Sequence, residues 1–248
     1  MNSLNILHIS DAHIQLSQKE EISEIIIKLV DDVLRVQKEN NIKINLVCFT
    51  GDLIQRGDKA ITDEKQMSIA EEILINPILK GLGLKGNNFI IVPGNHEVDV
   101  TKIIKATEKG LLVNSLEEIN ENISDMNDIY LERLDYFYKW VDNTYREDII
   151  KEKIGYAFLR EINNKKIGIA CIDSAWRSSG RGNVEKGMLY VGIKQIKDLY
   201  QHIKTADLKI CLIHHPVDWL SDYESNIIER ELTKFDIVLC GHVHENDN

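Results

Sequence analysis

The sequence predicts an α/β protein whose strands form a mixed sheet or two packed sheets. Three observations predict it. Short apolar runs of β type alternate with longer stretches in which apolar residues recur every three or four positions, the strand–helix–strand order of that class. Two β runs, Tyr156 to Ile162 and Lys166 to Ile172, are separated by a short stretch containing Asn163-Asn164, a hairpin signal. The chain has 248 residues, enough for one well-buried domain and too few for two comfortable ones.

Taken in order, Leu4 to Ile9 reads as a strand, and its imperfect alternation predicts burial on both faces. Glu20 to Lys38 reads as a helix with Ile22, Ile25, Ile26, Leu29, Val33 and Leu34 on one side. Asn45 to Phe49 is the second strand. Asp63 to about Asn76 is the second helix, which Pro77 should stop or kink, with Gly81 as its latest end. Phe89 to Val92 is the third strand, closed by Pro93-Gly94. Residues 101–150 are rich in Glu, Asp, Asn and Lys, with Leu131, Leu134, Phe137, Trp140 and Val141 at helical spacing. They read as helices inserted between strands, and as a packing layer more than a cap. After the hairpin comes a loop carrying Gly180, Gly182 and Gly187. Ile193 to Ile203 is a helix, Lys209 to Ile213 a strand, and Ile237 to Cys240 the last strand. No internal repeat, low-complexity segment or clear linker divides the chain.

Composition narrows the function classes. Hydrophobic residues make up 43% and charged residues 28%, so disorder is not expected. The net charge of −10 removes the basic footprint of a protein that grips duplex nucleic acid by charge alone. It leaves room for a nucleotide or strand at a metal site, because bound cations are large local charges. The N-terminus has no basic, then apolar, leader pattern. No apolar run approaches the ~18 residues of a membrane span. Cys48, Cys171, Cys211 and Cys240 each sit in an apolar run without CxxC spacing, so all four are expected to be buried and reduced. A cytoplasmic protein is expected.

The residues that carry chemistry share one address, just past the C-terminal end of a predicted strand. Asp11 and His13 follow the first, Asp52 the second, Asn95 and His96 the third. His214 and His215 follow the strand at 209–213, and His242 and His244 the last. In open α/β sheets that end carries the ligand crevice, so segments far apart in sequence should converge there. Carboxylate, imidazole and amide oxygen suit a pair of hard-to-borderline divalent cations, and fit manganese, iron, zinc or magnesium alike. Manganese is the first expectation for the pair, with iron, zinc, nickel or magnesium as alternatives. Asp52 is the natural bridge. Two cations about 3.5–4 Å apart can clamp both oxygens of an in-line displacement at phosphorus. Glycines at 51, 94 and 241 precede ligands and permit sharp turns. Each short motif alone is weak. All five in this order, each after a strand, are strong together.

Those five motifs, Asp11-Ala12-His13, Gly51-Asp52, Gly94-Asn95-His96-Glu97, His214 and Gly241-His242-Val243-His244, resemble the calcineurin-like metallophosphoesterase superfamily over nearly the whole chain. The resemblance implies an α/β/β/α sandwich, two packed and mainly mixed β-sheets flanked by helices, as one catalytic domain with a helical insertion at 101–150. It implies that Asp11, His13 and His244 ligate a first metal, that Asn95, His214 and His242 ligate a second, and that Asp52 bridges them. His96 would be the general acid for the leaving oxygen or a transition-state stabiliser, and a metal-held hydroxide the nucleophile. Arg56 stands where phosphoprotein phosphatases carry a phosphate-binding arginine, although Gln55 replaces the acidic residue before it. Arg177, in the Gly/Ser-rich loop, could hold a phosphate oxygen. His215 is expected around the ligands or at the substrate, and His8 and His202 as structural or surface residues.

The GHVH and HHP motifs are more similar to the phosphodiesterase branch than to the phosphoprotein phosphatases. A phosphodiester of nucleotide or nucleic-acid type is therefore the first expected substrate, and a phosphomonoester, including phosphoprotein, the second. A non-catalytic scaffold is the reading from another class, and retention of all seven ligands counts against it. The chain stops four residues after His244, where related domains continue. It is thus expected to be the N-terminal module of a longer protein, an effector regulated by a further domain or by homo-oligomerisation.

Overall fold

The structure, a computed structural model, describes residues 3–56, 65–104, 108, 115–124 and 131–243. Its strands form two sheets. The first is parallel, in the order β1 (Ile6–Ile9), β2 (Leu46–Phe49), β3 (Phe89–Ile91). His8 lies opposite Cys48, and Cys48 opposite Ile90. The second has the order β4 (Ile150–Lys151), β5 (Tyr156–Ile162), β6 (Lys165–Ile172), β7 (Leu208–Ile213), β8 (Ile237–Leu239). It is antiparallel from β4 to β6 and parallel from β6 to β8. This is the two-sheet α/β class expected from the sequence, with the mixing confined to the larger sheet.

Strand periodicity explains the layers. In β6, Ile167, Ile169 and Cys171 join the large core that also holds the first sheet, while Ala170 and Ile172 face the other way. Ile210 and Leu212 of β7 likewise face the first sheet, and Cys211 and Ile213 the opposite core. That second core is closed by Ile196, Leu199 and Ile203 of α6 (Ile193–Ile203) and by Ile228 and Leu232 of α7 (Ser225–Leu232). The first sheet is covered by α1 (Lys19–Asn40), α2 (Gln66–Ala70) and α3 (Asn76–Leu82). Asn163 and Asn164 have φ of 53° and 61°, the left-handed pair that a two-residue hairpin needs.

Four expectations are corrected. The strand expected to be buried on both faces, β1, is only half-buried with His8 exposed, because it has a strand partner on one side alone among the described residues. The buried stripe of α1 runs through Ile22, Ile26, Leu29 and Val33, while Ile25 and Leu34 face solvent at 55% and 41%. Cys240 is exposed, unlike the other three cysteines. The second helix does not stop near Pro77. A π-helical turn, Glu71–Ile75, precedes it, with the Asn76 N–H reaching back to the Glu71 carbonyl. This wider turn accommodates a proline ring that would clash in regular α geometry, and α3 follows directly. It ends at Gly83, which caps it with φ of 65°.

Within the 101–150 region, the described residues include α4 (Leu116–Ser124) and α5 (Asp135–Tyr145). In α5, Phe137, Val141 and Tyr145 are buried, as a packing layer requires. Tyr145 Oη donates to the Phe89 carbonyl at 2.6 Å, and Tyr156 Oη to the Ile91 carbonyl. Both acceptors lie on β3, which has one strand partner among the described residues, so two buried hydroxyls satisfy backbone groups that no described strand pairs. A cap built from residues 105–107, 109–114 or 125–130 lies outside the described residues.

Candidate metal centre

All the described motif residues sit at the C-terminal tips of strands: Asp11 and His13 after β1, Asp52 after β2, Asn95 and His96 after β3, His214 and His215 after β7, His242 after β8. His244 lies outside the described residues. Asp11, His13, Asp52 and His242 have φ of 56°, 44°, 57° and 73°. Non-glycine residues adopt this left-handed conformation at a cost of about 1–3 kcal/mol each, and keep it where surrounding bonds enforce it. Here the enforcement is visible. The 11–14 segment lies along 51–55, with the N–H of Asp11, His13 and Ile14 donating to the carbonyls of Gly51, Asp52 and Leu53, each at 3.0 Å. Gly94 lets the β3 tip press onto the β2 tip, since a Cβ there would fall 2.2 Å from Asp52 Oδ1.

Around His214 the donor atoms converge. Its Nε2 is 3.1 Å from His242 Nδ1, 3.2 Å from Asn95 Oδ1 and 3.4 Å from Asp52 Oδ2. Its Nδ1 lies 2.6 Å from the Thr50 carbonyl, which accepts a hydrogen bond from the ring N–H there, so in the neutral ring Nε2 carries the lone pair. Ligand-capable atoms of four side chains therefore gather at one point, the crowding that a shared cation would satisfy. Ligand atoms about 2.1 Å from a common cation stand about 3.0–3.4 Å apart, and these separations match. The proton affinity of His214 reports the same field. Burial pushes its pKa down most strongly, but the Asp52 carboxylate, with Asp11 and the Thr50 carbonyl, raises it on balance. Asp52 responds in kind: burial pushes it up, yet His214 and His96 hold it below the usual carboxylate range.

A second group adjoins the first through Asp52. His13 Nε2 is 3.9 Å from both Asp11 Oδ1 and Asp52 Oδ2. The Asp11 carboxylate also accepts the His242 N–H at 3.0 Å, which ties the β1 and β8 tips together. His13, Asp52 and His96 form one ligand-capable group, and Asp11, Asp52 and His214 another. The His13 and His96 rings meet edge to face at 4.5 Å.

Comparison with known proteins agrees with this geometry. A family model described as calcineurin-like phosphoesterase matches residues 4–246. The chain belongs to the calcineurin-like phosphoesterase family. It is similar to the uncharacterised metallophosphoesterase-like protein YydB of Bacillus subtilis (strain 168), 25% identical over 255 residues, covering 98% of this chain and 49% of that protein. It thus spans about half the length of this curated relative.

Against the family pattern, the remaining residues divide. Arg56 lines the centre: its backbone N–H donates to His96 Nδ1 at 3.1 Å, and its guanidinium donates to the Asn95 carbonyl at 2.7 Å and the Gly180 carbonyl at 3.4 Å. Burial, before any other cause, lowers the pKa of His96 to about 4. With Nδ1 accepting, the neutral ring carries its proton on Nε2. Arg177, expected at phosphate, is 4% exposed and paired to Glu108 Oε2 at 2.5 Å, while Arg133 takes Glu108 Oε1 at 2.6 Å. His215 is buried against the His214 and His242 rings, and Ser174 Oγ lies 2.9 Å from its Nδ1. Both positions are enclosed rather than open to a substrate. His202 pairs with Glu152 on the surface of α6. Sequence reasoning missed Trp219, whose ring meets His242 edge-on at 3.9 Å, and the Thr50 carbonyl behind His214. Only the proximity of Trp219 to the HHP motif hinted at the first, and a backbone acceptor leaves no trace in a sequence.

Proposed function

We propose that this chain hydrolyses a phosphodiester, of nucleotide or nucleic-acid type, at a two-cation centre. The ligands in this reading are Asp11, His13 and His244 for one cation, Asn95, His214 and His242 for the other, and Asp52 between them. The observation that carries it is the convergence of Asp52 Oδ2, Asn95 Oδ1 and His242 Nδ1 on His214 Nε2 within 3.4 Å. Bound divalent cations, manganese first, would supply Lewis acidity toward a phosphoryl oxygen and an activated water. The protein's own groups do the rest. His96 presents Nε2–H as a hydrogen-bond donor to a phosphoryl or leaving oxygen. Its bond from the Arg56 N–H works against a charged ring, so it stabilises developing negative charge rather than acting as an imidazolium acid.

The charge balance favours a diester over a monoester. The guanidinium of Arg177 is neutralised by Glu108, whereas that of Arg56 bonds only carbonyls among the described residues. A guanidinium uncompensated among the described residues, beside His96, suits a monoanion better than a dianion.

The test is hydrolysis of an aryl phosphodiester and an aryl phosphomonoester with Mn²⁺, Ni²⁺, Zn²⁺ and Mg²⁺. Faster diester turnover with Mn²⁺ is expected. Removing a group that merely orients a ligand costs about 10- to 100-fold, so Asn95→Ala and His214→Ala should each lose at least that. Wild-type rates in either variant would refute the ligand assignment, and monoester preference would refute the substrate class. No hydrolysis by a metal-loaded wild-type protein would favour a binding module.

A further inference from the structure

Glu97 closes the GNHE motif and has no part in the chemistry above, yet it occupies the most heavily bonded position in the centre. Its carboxylate is 5% exposed and accepts four peptide N–H groups: Asp52 at 2.9 Å, Leu53 at 2.8 Å, Ile54 at 3.2 Å and Gly94 at 2.7 Å. These N–H groups come from two different strand tips. The same peptides pass the constraint onward. The carbonyls of Gly51, Asp52 and Leu53 accept from Asp11, His13 and Ile14, so the β1 tip hangs on the stretch that Glu97 holds. From the other side, the His96 N–H donates to Asp52 Oδ1 at 2.8 Å, which turns Oδ2 toward His214 and His13. Metal-type side chains crowded together on backbones held at positive φ make a costly arrangement. Something behind them must hold them, and Glu97 is where the bonds lead.

We propose that Glu97 is the positioning residue that presets the cation centre, clamping the Asp52 and Asn95 turns before any cation arrives. The inference rests on the two-cation reading above. A carboxylate suits the task because it offers about four lone-pair sites and no donor, so four N–H groups can share it. An amide offers one oxygen and turns an NH₂ toward the remaining N–H groups. Glu97→Gln should therefore loosen both turns with little change in volume. Glu97→Asp keeps both carboxyl oxygens, reaches fewer amides, and should fall between.

The experiment is calorimetric titration of chelator-stripped protein with Mn²⁺ alone. Affinity is expected to drop on the order of 10- to 100-fold in E97Q, as when other groups behind metal ligands are removed, with E97D intermediate. Affinity is read on folded protein, confirmed by circular dichroism, so a loss of stability alone does not move it. E97Q binding Mn²⁺ as tightly as wild type overturns the clamp and leaves the cation centre standing. Wild type failing to bind Mn²⁺ overturns the cation centre itself. A second measurement uses only the wild-type chain. In metal-free protein the amides of Asp52, Leu53, Ile54 and Gly94 should be protected from hydrogen exchange, and exchange at free-loop rates would overturn the proposal even if both variants failed to fold.

Discussion

At the residue scale, this protein gathers its loops on buried carboxylates. Glu97 is one. Asp173 accepts from Tyr138 and from the N–H groups of Ala175 and Trp176. Glu185 ties Ser178, Ser179 and Arg181. Glu224, fully buried, accepts the N–H groups of Val191 and Gly192 at the start of α6. Its role can be tested through pH. Burial pushes Glu224 up to about 7 from 4.5, against the two N–H groups that favour its ionised form. Between those values the folded chain holds a proton that the unfolded chain has released. The stability tied to that proton is complete below about pH 4.5 and is lost as pH rises through about 7. Glu224→Gln stays neutral throughout and should remove this slope. Relative to wild type, the variant should gain stability between pH 4.5 and 8, on the order of 3 kcal/mol for a shift of this size. Urea unfolding of both proteins at the two pH values measures the difference, and an identical slope would refute it. The candidate ligands were legible because their chemistry repeats after each strand. Glu185 and Glu224 were not, since a glutamate accepting amides from distant loops looks the same in sequence as one in solvent, and Glu97 stood in its motif without a role.

At the element scale, the sequence announced its strands and hairpin through composition and the Asn163-Asn164 pair, but misled over the second helix. Pro77 and Gly81 are standard stop signals, and both lie within continuous helical structure. The π-turn removes the proline conflict. Gly81 serves a contact instead: a Cβ there would sit 2.4 Å from Val30 Cγ1, so α1 and α3 approach as closely as a bare backbone permits. Two opposed effects decide what Gly81→Ala does. Alanine gains about 0.8–1 kcal/mol in helix propensity, while forcing a methyl into a packed contact costs about 1–3 kcal/mol. Val30 is β-branched and stiff, so it yields little. The variant should be destabilised by roughly 1 kcal/mol, and Gly81→Ala combined with Val30→Ala should recover part of the loss. Chemical denaturation of the single and double variants checks this. If the single variant gains stability, the close approach does not matter and propensity alone governs the site.

At the scale of the whole molecule, the candidate centre joins two sheets that share a core but no ladder among the described residues. Asp11, His13, Asp52 and Asn95 come from the tips of the first sheet, and His214 and His242 from the second. This partition could not be read from sequence, because the order of motifs along the chain does not say which strands pair. The half-buried edge at β1 was missed for the same reason: an apolar run looks alike whether one neighbour covers it or two. A centre built across both sheets has a thermodynamic consequence. A cation that binds only the folded arrangement stabilises it by about 2.7 kcal/mol at a hundredfold excess over Kd. That stabilisation must reach both sheets, since releasing either one dismantles the ligand set. Adding Mn²⁺ to chelator-treated protein should therefore raise the melting temperature of a single transition. Hydrogen-exchange protection should rise together in β1–β3 and β6–β8. His214→Ala, which removes the ligand at the seam, should abolish both effects. A rise in protection confined to the first sheet would mean that Asp11, His13 and Asp52 hold a cation without the second sheet, and the centre would then belong to one layer.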